Sequence, residues 1–75
     1  MKTKTQLKIE NRVHVLRAEK RISQQELADE VGVTRATINA IEGDNYNPSL
    51  ELAFRIARFF AVPLETLFFI KEPRK

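Results

Sequence analysis

The sequence predicts a mainly α fold of five short helices, with a small two-stranded antiparallel sheet joining its N- and C-terminal segments. Three observations lead there. Apolar residues recur at helical spacing in short runs. Each run is bounded by capping residues or by a breaker such as Gly32, Gly43 or Pro63. Two short stretches of strand character flank the helices, Leu7 to Ile9 and Phe68 to Ile70.

The elements follow in order. Leu7 and Ile9 alternate with Lys8 and Glu10, a period of two that suits a strand. From about Asn11 to Lys20, Val13, Leu16 and the stem of Lys20 fall on one helical face, with Arg12, Arg17 and Glu19 off it. Ser23-Gln24-Gln25-Glu26 then reads as a capping box, in which Ser23 and Glu26 exchange hydrogen bonds with each other's backbone N–H. Ile22 and Leu27 have staple spacing around it, and Leu27, Ala28 and Val31 form the buried stripe. Gly32 stands where a left-handed C-terminal residue is expected.

The third helix opens at Thr34, a good N-cap, with Val33 and Ile38 as a second staple. Ile38 and Ile41 face inward. Arg35, Ala36, Asn39 and Ala40 share the opposite face, and Gly43 ends the helix. Asp44-Asn45-Tyr46-Asn47-Pro48 is a loop by composition. Ser49 caps a fourth helix from Leu50 to Phe60, with Leu50, Ala53, Ile56, Ala57 and Phe60 expected in the core. Its polar stripe is only Glu51, Arg55 and Arg58, flanked by Leu52 and Phe59 on one side and Phe54 on the other. Pro63 suits the first turn of a short fifth helix reaching about Leu67. The expected organisation is a folded unit over residues 7–70 between a flexible stretch 1–6 and a flexible charged tail 71–75.

Bulk properties narrow the function. A chain of 75 residues has room for one small core, which is marginal without a staple, a metal or a second subunit. There is no cysteine and a single histidine, His14, so disulfides and thiolate or histidine-cluster metal sites are excluded. His14 is expected at or near the surface. No apolar run approaches the ~18 residues of a membrane span, and no secretory leader follows Lys2, Lys4 and Lys8. A net charge of +3 permits nucleic-acid binding without demonstrating it. Glu10, Glu19, Asp29, Glu30 and Glu51 fall on exposed faces, with no nucleophile–base–orienter set and no phosphate-cradling glycine loop, so catalysis is not expected. Neither a cofactor nor a metal is expected, and a cytoplasmic setting fits.

The decisive feature is a pair of short helices separated by Gly32 and Val33, which is the layout of a helix-turn-helix. Ser23-Gln24-Gln25-Glu26-Leu27-Ala28, Val31-Gly32-Val33-Thr34-Arg35, Thr37-Ile38, Ile41-Glu42 and Asn47-Pro48-Ser49-Leu50 resemble the Cro and phage-repressor type of DNA-binding domain. The likeness runs from about Asn11 to Leu67. Within that family it is closest to very short dimeric regulators resembling the cytolysin repressor. The resemblance implies double-stranded DNA as partner, a homodimer, and no domain for a small-molecule effector. It assigns phosphate contact and support of base reading to Gln24, and a reading face to Arg35, Ala36, Thr37, Asn39 and Ala40. It pairs Arg17 with Glu42, with the arginine near phosphate, and brings the Asn45-Tyr46-Asn47 loop to the DNA backbone. Pro63 departs from the usual serine cap of the fifth helix.

Residue chemistry sharpens these expectations. Arg35 suits guanine O6 and N7, and Asn39 suits adenine N6 and N7. Ala36 and Ala40 are small enough to touch thymine methyls, or are plain helix formers. Gln25 and Thr34 complete the expected DNA-facing set. Leu52, Phe59, Leu64, Phe68, Phe69 and Ile70 exceed what one side of so small a core needs, and are expected at a homodimer interface. The expected function is a repressor that binds a palindromic operator. The alternative is an antitoxin-like interaction module gripping a partner protein through the apolar C-terminal segment.

Overall fold

The computed structural model describes residues 7–71. The stretch 1–6, and residues 72–75 of the tail 71–75, both expected to be loose, lie outside the described residues. The elements are β1 (Ile9–Asn11), α1 (Val13–Lys20), α2 (Gln24–Val31), α3 (Arg35–Glu42), α4 (Leu50–Phe60), α5 (Leu64–Leu67) and β2 (Phe68–Ile70). This is the mainly helical fold with a small antiparallel sheet that the sequence predicts.

Three helix starts are set by local hydrogen bonds. The Ser23 hydroxyl accepts from the Glu26 N–H at 3.0 Å, and the Glu26 carboxylate accepts from the Ser23 N–H at 2.8 Å. Thr34 accepts from Thr37 N–H, and Ser49 from Leu52 N–H. Each satisfies a donor that the first helical turn leaves without a partner. Helix α2 stops at Gly32, whose φ of 79° is left-handed. Arg21 and Ala61 close α1 and α4 in the same conformation without the freedom of glycine.

Gly32 is also short of space. A Cβ there would lie 3.0 Å from Nη1 of Arg55, which donates to the Val31 carbonyl at the end of α2. Gly32→Ala therefore adds left-handed strain and pushes on a cap. It is expected to lower stability by about 1–2 kcal/mol, read from the urea midpoint.

Val13, Leu27, Ile38, Ile41, Ile56 and Leu67 are fully buried and come from all five helices. Helix α2 packs on both α3 and α4. The sheet pairs Ile9 with Ile70, Glu10 with Phe69 and Asn11 with Phe68. It is extended by a bond from Lys71 N–H to the Lys8 carbonyl.

Four details differ from the sequence expectation. The first strand lies at Ile9–Asn11 and not at Leu7 to Ile9, because the Arg12 N–H is tied to the Leu67 carbonyl at 3.0 Å and sets the register from that end. Helix α1 begins at Val13 and not near Asn11, because the Asn11 side chain accepts from the Val13 N–H. Leu50, expected in the core, is 69% exposed. Leu52, expected at a subunit interface, is only 4% exposed and packs in the chain's own core. The last two share a cause. Helix α4 is apolar over most of its circumference, and packing on α2 turns the Leu52 side inward.

Candidate nucleic-acid interface

Burial of Ile38 and Ile41 fixes the rotation of α3 about its axis. Arg35, Ala36 and Asn39 are therefore exposed, with Thr37 and Ala40 half-buried at the edges of the same face. The Thr34 and Thr37 hydroxyls are 3.1 Å apart, so both are engaged at the helix start. Ala36, Thr37 and Ala40 form one wall of a shallow depression whose other wall is Asn45 and Tyr46. Asn47 is exposed in the same loop.

An ion pair holds the far end of α3. Arg17 Nε lies 2.8 Å from Glu42 Oε2, and Nη2 lies 3.2 Å from Oε1. Arg17 Nη1 donates to the Ile22 carbonyl at 2.9 Å. Every nitrogen of this guanidinium is thus engaged inside the domain. The hydrogen bond to Glu42 raises the Arg17 pKa against a smaller opposing effect of burial. Burial alone would push Glu42 up, but hydrogen bonds from Arg17 and Gln24, with the charges of Arg17 and His14, hold it below the ordinary carboxylate value. His14 is exposed and borders the same hollow as Arg17, Asn39 and Glu42.

Gln24 is tied into this set. Its Nε2 donates to Glu42 Oε1 at 3.0 Å and to Asn39 Oδ1 at 3.2 Å. Gln25 instead bonds Asp29 one turn along α2. The structure thus brings Arg17, Gln24, Asn39 and Glu42 together at one end of α3, and leaves Arg35 separate at the other end.

Two structural residues escaped the sequence reading. Asn11 Nδ2 donates to the Ile41 carbonyl at 2.9 Å and to Asp44 Oδ1 at 3.3 Å, closing the C-terminal end of α3. Asn11 stands one residue before the Arg12 cap of α1, where its Oδ1 accepts from the Val13 N–H in a local turn that Asn favours. Arg55 closes the end of α2 by bonding Val31, a contact across 24 positions that no local pattern announces.

The family model described as helix-turn-helix matches residues 14–67. The chain belongs to the helix-turn-helix family. Its relatives include an uncharacterized HTH-type transcriptional regulator of Methanocaldococcus jannaschii, 44% identical over 64 residues, which cover 85% of this chain and 97% of that one. A transcriptional repressor of the cryptic phage CTXphi from Vibrio cholerae is 33% identical over 57 residues, covering 76% of this chain and 51% of that one. Among solved structures, the restriction-modification controller protein C.AhdI of Aeromonas hydrophila superposes with a TM-score of 0.68 at 27% identity, over 73% of this chain and 80% of that one. This helix-turn-helix protein is a transcriptional regulator with a DNA-binding domain, and its family is not one of enzymes. Among the described residues, no helix is long and apolar enough to cross a membrane.

Proposed function

We propose that this helix-turn-helix regulator binds a palindromic operator as a homodimer and represses transcription from it. The observation that carries the reading is the presentation of α3. It is capped at Thr34, anchored by Ile38 and Ile41, and turns Arg35, Ala36 and Asn39 to solvent together. A helix held this way fits the major groove, with its N-terminal residues on base edges. The start of α2 supplies backbone N–H groups and a positive dipole end to phosphate beside Gln24 and Gln25, and Asn45, Tyr46 and Asn47 approach the backbone from the loop. Arg17 stands behind them as a support.

Apolar surface supports the dimer. Phe69 and Ile70 are exposed, and Phe59, Leu64 and Phe68 are half-buried at the same end of the chain. A two-fold pair would set the α3 helices about 34–36 Å apart, one turn of DNA. The proposed regulator acts in the cytoplasm, with DNA and a second copy of itself as partners and no small-molecule effector, cofactor or metal. The relative named as a repressor supports the sign of regulation.

Selection from a randomised double-stranded DNA pool, followed by gel shift, tests the reading. An enriched palindrome supports it and the absence of any enriched site overturns it. Sedimentation tests the pairing: a homodimer is expected, and a lone chain that stays monomeric and aggregates would favour a partner protein instead. Arg35→Ala is expected to lose about 1–3 kcal/mol of discrimination at one base position, while Asn47→Ala weakens binding evenly across sequences. Equal binding of all selected sites by wild type and Arg35→Ala would remove Arg35 from the reading face.

A further inference from the structure

We infer that Glu42 and Gln24 are positioning residues for base reading, which fix the direction of the Asn39 carboxamide and leave its Nδ2 as the free, donating end. This rests on α3 being the reading helix. The inference comes from the order of donors and acceptors in one chain of hydrogen bonds.

Glu42 is the fixed point. Its side chain is 9% exposed and held by Arg17 through both oxygens. An ionised carboxylate only accepts. The Gln24 amide must therefore turn its NH2 group toward Glu42, as it does at 3.0 Å. Reversed, it would set its own carbonyl oxygen against a carboxylate already partly withdrawn from water. The same Nε2 has a second hydrogen to donate and lies 3.2 Å from the Asn39 carboxamide, so the Asn39 atom facing it is the acceptor, Oδ1. Polarity thus passes from the carboxylate to Gln24 and on to Asn39. Asn39 is exposed and has no other side-chain hydrogen bond among the described residues, so its NH2 group keeps both hydrogens available.

The consequence reverses the simple expectation for asparagine. The usual pairing with adenine needs the carbonyl and the NH2 group edge-on to the base together, one accepting from N6 and the other donating to N7. Here the direction of the carbonyl is set by Gln24 on α2. An NH2 group presented alone matches a base edge that only accepts. Guanine offers that edge with O6 and N7, whereas the N6 donor of adenine would have to share Oδ1, which is turned toward Gln24. Asn39 then reads guanine in preference to adenine.

The test has two arms. In the first, wild type, Asn39→Ala and Gln24→Met are each taken through selection from the randomised DNA pool. Asn39→Ala identifies the base position that depends on Asn39. Wild type is expected to enrich guanine over adenine there by about fivefold or more, and Gln24→Met to lose that preference while the Arg35-dependent position holds. Adenine preferred by wild type, or an unchanged profile in Gln24→Met, overturns the inference without touching the regulator reading. Failure to enrich any site counts against that reading instead, and the second arm then decides the relay without DNA. It follows the side-chain amide protons of Gln24 by NMR in the free protein. They are expected to exchange slowly and show cross-peaks to Asn39, and to lose both properties in Glu42→Gln, which keeps the shape and removes the charge. Exchange as fast in wild type as in Glu42→Gln overturns the relay.

Discussion

Ile38→Ala is expected to lower stability by about 3–4 kcal/mol, the upper middle of the range for removing a fully buried isoleucine side chain. Ile38 is 0% exposed and sits on α3, which packs on α2. Truncation leaves a hole that two capped, short helices cannot close, since the Gly32 turn ties them at one end and the Asn11 bonds hold the other. In a domain of this size about 4–8 °C of midpoint is lost per kcal/mol, so a thermal melt followed by circular dichroism should fall by well over 10 °C. Ile38→Val keeps most of the volume and is expected to lose only about 1 kcal/mol. A small loss for the alanine variant would mean that α3 is not held by its apolar face, and the argument for its outward side would fall with it.

The second large effect concerns the Arg17–Glu42 pair, and it is asymmetric. Arg17→Ala leaves a carboxylate, its side chain 9% exposed, with only the neutral Gln24 amide as partner, whereas Glu42→Ala leaves a guanidinium that is 22% exposed and still bonded to the Ile22 carbonyl. The first is expected to lower stability by about 2–3 kcal/mol and the second by about 1–2 kcal/mol, since an unpaired and poorly hydrated charge is worse than a lost contact. The double variant Arg17→Met/Glu42→Leu should be less destabilised than Arg17→Ala, because neither charge remains. Urea melts of the three variants check the order. An Arg17→Ala protein as stable as wild type would reduce the pair to a surface contact.

The same pair sets a pH dependence. Glu42 titrates below its ordinary value in the folded chain, so the folded state binds its proton less readily than the unfolded chain does. The stability this contributes is complete above the unfolded value, about 4.3, and is lost as pH falls through the lower folded value. The raised Arg17 pKa contributes below its unfolded value and so does not vary across the acidic and neutral range. Stability measured from pH 7 downward should hold level and then drop below about pH 4, and Glu42→Gln should flatten part of that drop.

Legibility followed the range of the interaction. The Ser23–Glu26 box, the Thr34 and Ser49 caps and the left-handed Gly32 each span at most three positions, so residue types alone announce them. The inward face of α3 was legible too, because Ile38 and Ile41 are its only large apolar residues. Helix α4 was harder, since a nearly continuous apolar circumference gives a period without a phase. Only the surface of α2 decides that Leu52 turns in and Leu50 stays out. The candidate site divides the same way. The residues at the outward side of α3 could be named from spacing, but the bonds that orient them join Gln24 to Asn39 and Glu42 across 15 and 18 positions.

The sequence by itself determined that this chain forms short capped helices around a glycine turn, and hence a helix-turn-helix, because those signals act within one turn of chain. The tertiary structure alone decided the register of β1 on β2, the closing of α2 by Arg55 and of α3 by Asn11, and the direction of the Asn39 amide. These depend on which distant groups meet once the core has packed, and on the need of each donor and acceptor to find a partner when water has been removed.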